Sequence, residues 1–160
     1  MGKIDERLAG LGIDIPMAAR PVANYVGWVM SGNLLFTAGQ IPLRDGKPLY
    51  VGRAGEEVPL EEAAQAARLC AINCLAQAKA ALDGDLERIR RVVKLTGFVN
   101  CPPGFTDHPQ VVNGASDLMV EVFGDAGRHA RSAVGASSLP LGVTVEVEAI
   151  FETAGGGEAS

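Results

Sequence analysis

The sequence lacks the features that mark a membrane protein, a disulfide-linked secreted protein or a nucleic-acid binder. No run approaches the roughly 18 apolar residues that a membrane-spanning helix needs, and the N-terminus has early acidic residues and no apolar signal core. Three cysteines, an odd number, do not indicate a disulfide framework. The net charge of −5 gives no basic surface excess for a nucleic acid or a membrane. We therefore expect a cytoplasmic protein with no nucleic-acid or membrane partner.

The amino-acid composition is that of an ordinary globular domain. With 160 residues, 48% of them hydrophobic and 21% charged, the chain is long enough to bury the core of one domain. We expect an N-terminal extension with a short helix over residues 1–21, a single domain over 22–153 and a flexible tail over 154–160. Cys70 and Cys74 lie four apart on a predicted helix and could in principle bind a metal. No histidine is near them in sequence, so a core role is favoured.

The spacing of apolar residues predicts an α+β fold. Turn chemistry at Ser31-Gly32-Asn33 predicts a hairpin, and a loop rich in glycine and proline follows over 40–59. The predicted helices cover residues 3–11, 59–83 and 109–123, with a short helical linker over 85–91. The predicted strands cover residues 25–30, 34–38, 92–100, 131–136 and 143–151. We expect the helices to cover one face of a mixed sheet.

The last two predicted strands carry an arginine and a carboxylate. Arg131 opens one strand, and the next alternates strictly, with Glu146 and Glu148 on one face and valines on the other. On neighbouring strands the guanidinium could clamp an anionic substrate while the carboxylate handles a proton or orients a water. The alternative is a structural ion pair across the two strands.

Several short blocks carry a family resemblance. The first is the segment that begins with Asn24-Tyr-Val and ends with Gly32-Asn33. The others are Thr37-Ala38-Gly39-Gln40-Ile41-Pro42, Val93-Lys94-Leu95-Thr96-Gly97-Phe98-Val99, Val112-Asn113-Gly114, Ala130-Arg131-Ser132, Leu139-Pro140 and Val145-Glu146-Val147-Glu148-Ala149-Ile150. In this order, over about residues 22–152, the chain resembles the RidA/YjgF/UK family of reactive intermediate deaminases.

The resemblance implies a chorismate-mutase-like α+β fold, with two helices on one face of a mixed sheet. It also implies a homotrimer whose sheets form a central barrel, with active sites in clefts between subunits. Deaminase members hydrolyse enamine or imine intermediates to 2-keto acids and ammonia without a metal or organic cofactor. By position, the resemblance implies that Arg131 pairs with the carboxylate of a small metabolite and that Glu146 contacts the attacking water. The implied substrate-binding positions are Tyr25, Ala38, Gly39, Asn113 and Ala133.

Three positions depart from the pattern of the deaminases that the chain resembles. Ala133 stands where a ligand-touching cysteine is usual, Ala38 where a serine is usual, and His129 where a proline is usual. An imidazole two residues from Arg131 could assist anion binding or proton transfer. The departures leave two alternatives to a deaminase: a non-catalytic binding or sensor module for small carboxylates, and, more weakly, an endoribonuclease.

Overall fold

In the computed structural model, which describes residues 2–155, the elements follow the order predicted from the sequence. The helices are α1 (Lys3–Gly10), α2 (Leu60–Ala81) and α3 (His108–Phe123). The strands are β1 (Trp28–Ser31), β2 (Leu34–Thr37), β3 (Leu43–Arg44), β4 (Lys47–Pro48), β5 (Ile89–Asn100), β6 (Ala130–Ala136) and β7 (Val145–Thr153). Short 3-10 turns occupy Leu86–Arg88, Gly124–Gly127 and Pro140–Gly142.

Five of these strands form one mixed sheet in the order β1-β2-β7-β5-β6. Strand β6 runs parallel to β5, whereas the other neighbouring pairs are antiparallel. A parallel pair needs a long crossover connection, and α3 supplies it. The predicted α+β fold with a mixed sheet is therefore confirmed. Strand β6 lies at one edge, and β7 and β5 lie inside the sheet.

The core lies between the helices and one face of the sheet. On β7 the residues Val145, Val147, Ala149 and Phe151 are buried, as their alternation predicts. Alanines along α2 let it pack closely on this face, and its acidic first turn and Lys79 in its last turn suit the helix dipole. The short α1 joins the same core through Ile4 and Leu8. Among residues 2–155, no helix is both long and apolar enough to cross a membrane.

The cysteines of α2 belong to this core. Cys70 and Cys74 are fully buried, and their sulfur atoms lie 3.6 and 3.4 Å from the carbonyl oxygens of Val145 and Val147. Burial raises the pKa of Cys74 to about 12 and that of Cys70 well above its ordinary value. Both thiols therefore stay protonated as small apolar groups, which confirms the predicted core role.

The structure corrects three details of the sequence interpretation. The predicted loop over 40–59 contains a small antiparallel ribbon, β3–β4. The predicted helical linker over 85–91 shortens to one 3-10 turn, because β5 already begins at Ile89. Thr144, expected on the open face with Glu146, is fully buried; it precedes β7, and its backbone N–H donates to the carbonyl of Tyr50 at 2.9 Å. The predicted tail over 154–160 lies outside the described residues from 156 onward.

One close contact between backbones joins the two long helices. A Cβ at Gly114 of α3 would overlap the carbonyl oxygen of Ala64 in α2. Because that neighbour is backbone, it cannot move aside as the end of a flexible side chain would. Gly114 therefore sets the distance between α2 and α3.

We expect Gly114→Ala to lower the free energy of unfolding by roughly 1–3 kcal/mol, because the added methyl group forces the helices apart. Urea denaturation of the purified variant measures this loss. Gly10→Ala is the matched control, since a Cβ there meets nothing within 4 Å. An equal effect of the two substitutions would contradict the role assigned to Gly114.

Candidate functional site

Arg131 forms hydrogen bonds with α3. Its Nη1 donates to Oδ1 of Asn113 at 2.8 Å and to Oγ of Ser116 at 3.2 Å. His129 joins them, because its Nε2 lies 2.9 Å from Oγ of Ser116. We call Arg131, Asn113, Ser116 and His129 the arginine cluster. It lies at the edge of the sheet, beside α3.

The arginine cluster leaves one edge of the guanidinium for a ligand. Both hydrogens of Nη1 are used by Asn113 and Ser116, whereas Nε and Nη2 of Arg131 have no partner among residues 2–155. These two nitrogens present parallel N–H bonds on one side, which is the geometry that binds a carboxylate bidentately. The side chain is half-exposed. Arg131 thus has a free guanidinium edge of the kind that could bind an anion.

Ser116 is a member that the sequence interpretation missed. It lies three residues after Asn113, and residues three apart share one face of a helix. That spacing was the available signal, but only the packing of α3 on β6 brings Ser116 to Arg131. Ala133 lies two residues further along β6 on the same face as Arg131, in register with Gly97 of β5.

A second group of residues surrounds Glu146 on β7. A Cβ at Gly39 would lie 2.6 Å from Oε2 and 2.9 Å from Cδ of Glu146, so the carboxylate occupies space that only glycine leaves open. Ala38 precedes Gly39 and is half-buried. We call Glu146, Gly39, Ala38 and Gln40 the glutamate cluster.

The backbone beside Glu146 is held in place from two directions. Gln40 exchanges backbone hydrogen bonds with Val147, at 2.8 and 3.0 Å. From α2, Asn73 donates to the carbonyls of Ile41 and Leu43 at 3.0 and 3.1 Å. Gln77 of α2 donates to Oε1 of Gln40 at 3.4 Å. This scaffold fixes Gly39 against the Glu146 carboxylate.

Burial raises the affinity of the Glu146 carboxylate for a proton. Partial burial, and then the neighbouring charge of Glu148, raise the pKa of Glu146 above its ordinary value. No ion pair involves Glu146 within the described part of the chain. A carboxylate with a raised pKa is a better proton acceptor than an ordinary one, so this group is suited to activating a water.

Arg131 and Glu146 do not lie on neighbouring strands, contrary to the sequence prediction. Strand β5 lies between β6 and β7, with Arg131 opposite Leu95 and Glu146 opposite Phe98. Paired residues point to the same face. Arg131 therefore shares the helix-covered face with Leu95, and Glu146 points to the open face. The alternative of an ion pair across the strands is thereby wrong as well.

The other predicted positions divide between the two clusters. The structure brings Asn113 to Arg131, and Ala38 and Gly39 to Glu146. Tyr25 is 58% exposed in the segment before β1. This segment is tied to Ala38 because the N–H of Ala38 donates to the carbonyl of Gly27 at 2.9 Å. The phenol itself has no hydrogen-bond partner among the described residues.

The main cavity of the described residues lies away from these clusters. Among residues 2–155, no three histidine, cysteine, aspartate or glutamate side chains come together as metal ligands. A cavity of about 980 Å³ lies between the N-terminal segment, the β3–β4 ribbon and the outer face of α2. None of the predicted site residues lines it.

The fold and the two clusters define a class: an α+β protein with an arginine held against a helix and a separate, partly buried glutamate. Residues 5–152 match the family described as "YjgF/chorismate_mutase-like, putative endoribonuclease". The chain belongs to this family, the RidA/YjgF superfamily.

Three relatives show the range of the similarity. The chain is 48% identical to Protein TCP17 of Trypanosoma cruzi, over 94% of both chains. It is 30% identical to a 2-iminobutanoate/2-iminopropanoate deaminase of Dermatophagoides farinae, over 86% of this chain and 92% of that protein. The crystal structure of Atu1372 from Agrobacterium tumefaciens, described as of unknown function, has 50% identity and a TM-score of 0.89. The match covers 95% of this chain and 93% of the Atu1372 chain.

On the interpretation that Glu146 activates a water, we expect Gly39→Ala to lower kcat/KM by roughly tenfold or more, because the new methyl group displaces the Glu146 carboxylate. The neighbouring atoms belong to a flexible side chain, so the melting temperature should change little. Parallel thermal melts and steady-state kinetics test both statements. Unchanged activity in a folded variant would contradict the close contact of Gly39 with Glu146.

Proposed function

We propose that this protein is a hydrolase of the RidA type. It would deaminate enamine or imine intermediates to 2-keto acids and ammonia in the cytoplasm, without a metal or organic cofactor. The observation that carries the proposal is the pair of clusters: an arginine edge that can take a carboxylate, and a glutamate suited to accept a proton from water. The 30% identity to a 2-iminobutanoate/2-iminopropanoate deaminase supports it.

The chemistry requires little beyond positioning and proton transfer. The Nε and Nη2 edge of Arg131 holds the substrate carboxylate, which places the adjacent imine carbon beside a water held by Glu146. Glu146 takes a proton from the water as the water oxygen bonds to the carbon of the protonated imine and the C=N electrons move to nitrogen, which gives a neutral amine. Glu146 then returns that proton to the amine, which leaves as ammonia while the C=O bond forms and the hydroxyl proton passes to solvent. An enamine enters the same path after taking a proton on carbon.

The proposed reaction requires the two clusters to come from different copies of the chain. Strands lie about 4.8 Å apart and rise about 3.3 Å per residue, so the Cα atoms of Arg131 and Glu146 within one chain are roughly 14 Å apart. They also point to opposite faces of the sheet. Reacting groups must approach to about 3–3.5 Å. We therefore propose that each site combines the arginine cluster of one copy with the glutamate cluster of another.

The open face of the sheet supports such an assembly. Val29, Phe36 and Val134 are 51%, 38% and 44% exposed. Val29 pairs with Phe36 and Phe36 with Ile150, so apolar side chains continue across three strands. An apolar surface of this kind is typical of an interface between subunits. We propose a homotrimer, with the number three taken from the family resemblance.

Subunit mixing tests the composite site. Arg131→Ala and Glu146→Ala should each lower kcat/KM by roughly 100-fold or more, measured as pyruvate release from 2-aminoacrylate generated in a coupled assay. When the two variants are refolded together, about a quarter of the interfaces in a closed ring combine an intact arginine with an intact glutamate. We expect activity to return to about that fraction of the wild-type value.

The control is the same two preparations combined without subunit exchange, which should show no recovery. Absence of recovery in mixed assemblies verified by native mass spectrometry would contradict the composite site. No acceleration of pyruvate release by the wild-type protein would contradict the deaminase itself.

The raised pKa of Glu146 predicts the acid limb of the activity profile. The carboxylate acts as a base only when ionised, and a raised pKa keeps its proton up to higher pH. An ordinary glutamate titrates at a pH of about 4.3. The midpoint of the decline in kcat/KM at low pH should therefore lie above that value. Glu146→Gln should be slow at every pH and should lack this limb. An unchanged limb in the variant would assign it to another group.

A second candidate is a non-catalytic binding or sensor module for small carboxylates. Ala133 and Ala38 favour it, because neither offers a thiol or hydroxyl to a bound intermediate. It predicts a higher melting temperature with pyruvate but no turnover. The family description also includes an endoribonuclease. That activity requires RNA binding that weakens steeply with salt, and the net charge of −5 disfavours it.

A further inference from the structure

His129 occupies a position from which it can control the anion-binding arginine. Its Nδ1 lies 2.6 Å from the carbonyl oxygen of Gly127, and its Nε2 lies 2.9 Å from Oγ of Ser116. Ser116 in turn accepts a hydrogen bond from Nη1 of Arg131 at 3.2 Å. Four groups thus form one continuous chain from a backbone carbonyl to the guanidinium.

For a neutral ring, the chemistry of the partners sets the direction of each bond. A carbonyl oxygen only accepts, so Nδ1 of His129 must carry the hydrogen that faces Gly127. In the neutral ring Nε2 is then the acceptor, and the hydroxyl of Ser116 donates to it. The lone pairs of that hydroxyl turn toward Arg131, which can only donate. In this arrangement, every donor along the row of hydrogen bonds from His129 to Arg131 meets an acceptor.

We propose that His129, in its neutral Nδ1–H tautomer, is a positioning residue that orients Arg131 for carboxylate binding through Ser116. The inference deepens the proposed function, because it rests on Arg131 as the carboxylate-binding group. Asn113 and Ser116 take both hydrogens of Nη1, which holds the guanidinium plane and presents Nε and Nη2 to the ligand. A side chain whose conformation is already fixed loses less entropy when the ligand binds.

His129 does not itself meet the ligand in this arrangement, because both of its ring nitrogens are engaged with Gly127 and Ser116. Its effect must pass through the hydroxyl of Ser116. The proline that the resemblance leads one to expect at this position could make neither bond. The orientation of Arg131 through His129 is therefore a property of this chain's own residues.

The two ring nitrogens can be tested separately by substitution. His129→Gln retains a side-chain oxygen that can reach the place of Nε2 and accept from Ser116. His129→Asn retains an amide near the place of Nδ1, which can donate to Gly127 but does not reach Ser116. The two variants are therefore matched in polarity, and each keeps a different one of the two hydrogen bonds that His129 makes.

The first measurement needs no ligand. Nitrogen-15 NMR of the histidine ring in the intact protein should show the Nδ1–H tautomer for His129, with an Nε2 signal that shifts in Ser116→Ala. A dominant Nε2–H tautomer would overturn the proposal, because that ring could not accept from Ser116.

The second measurement is the affinity for pyruvate by titration calorimetry. His129→Asn and Ser116→Ala should weaken binding by about 5–10-fold, in the range of one net hydrogen bond. His129→Gln and Ser116→Thr should recover most of that loss. In the coupled assay, KM should rise more than kcat falls, because carboxylate binding is common to the ground state and the transition state. Equal losses in His129→Gln and His129→Asn would overturn the proposal.

A double-mutant cycle shows whether the effect passes through Arg131. In an Arg131→Ala background, His129→Asn should cause no further loss of pyruvate affinity. An additive loss would overturn the proposal in favour of a general structural role. Pyruvate binding without turnover would contradict only the deaminase. Failure of the wild-type protein to bind pyruvate would overturn the anion-binding role of Arg131 and this inference with it.

Discussion

The alternation of side chains along a β-strand is the constraint on which the rest of this structure depends. Because β5 lies between β6 and β7, the register sends Arg131 to the helix-covered face and Glu146 to the open face. A one-residue shift of either strand would reverse its placement. This geometry separates Arg131 from Glu146 within one chain, so a reaction that used both residues would need a second copy.

Small residues decide how closely the backbones around the site approach. Gly114 lets α3 lie against the backbone of α2, and Gly39 lets its loop lie against the Glu146 carboxylate. The amides of Asn73 and Gln77 then tie that loop to α2. The α2 helix thus contributes to the glutamate cluster, and α3 to the arginine cluster through Asn113 and Ser116. Each cluster combines a strand residue with a partner fixed by the helical layer.

Local patterns predicted most of the fold. The valines of β7 alternate with glutamates, and the alanines of α2 recur at helical spacing, so both elements could be assigned with their buried faces. Thr144 shows the limit of such patterns. By alternation it belongs with Glu146, yet it is fully buried just before β7, where its backbone N–H bonds to the carbonyl of Tyr50. That contact joins residues far apart in sequence, which no local periodicity contains.

The sequence by itself determined the family, the order of the elements and the residue types available for chemistry, because these depend on local composition and spacing. Only the tertiary structure decided that Arg131 and Glu146 lie on different faces, and that His129 reaches Arg131 through Ser116. Strand order and helix packing arise from contacts between distant segments. The placement of Arg131 and Glu146 therefore depends on β5, the strand that lies between them and precedes both in the chain.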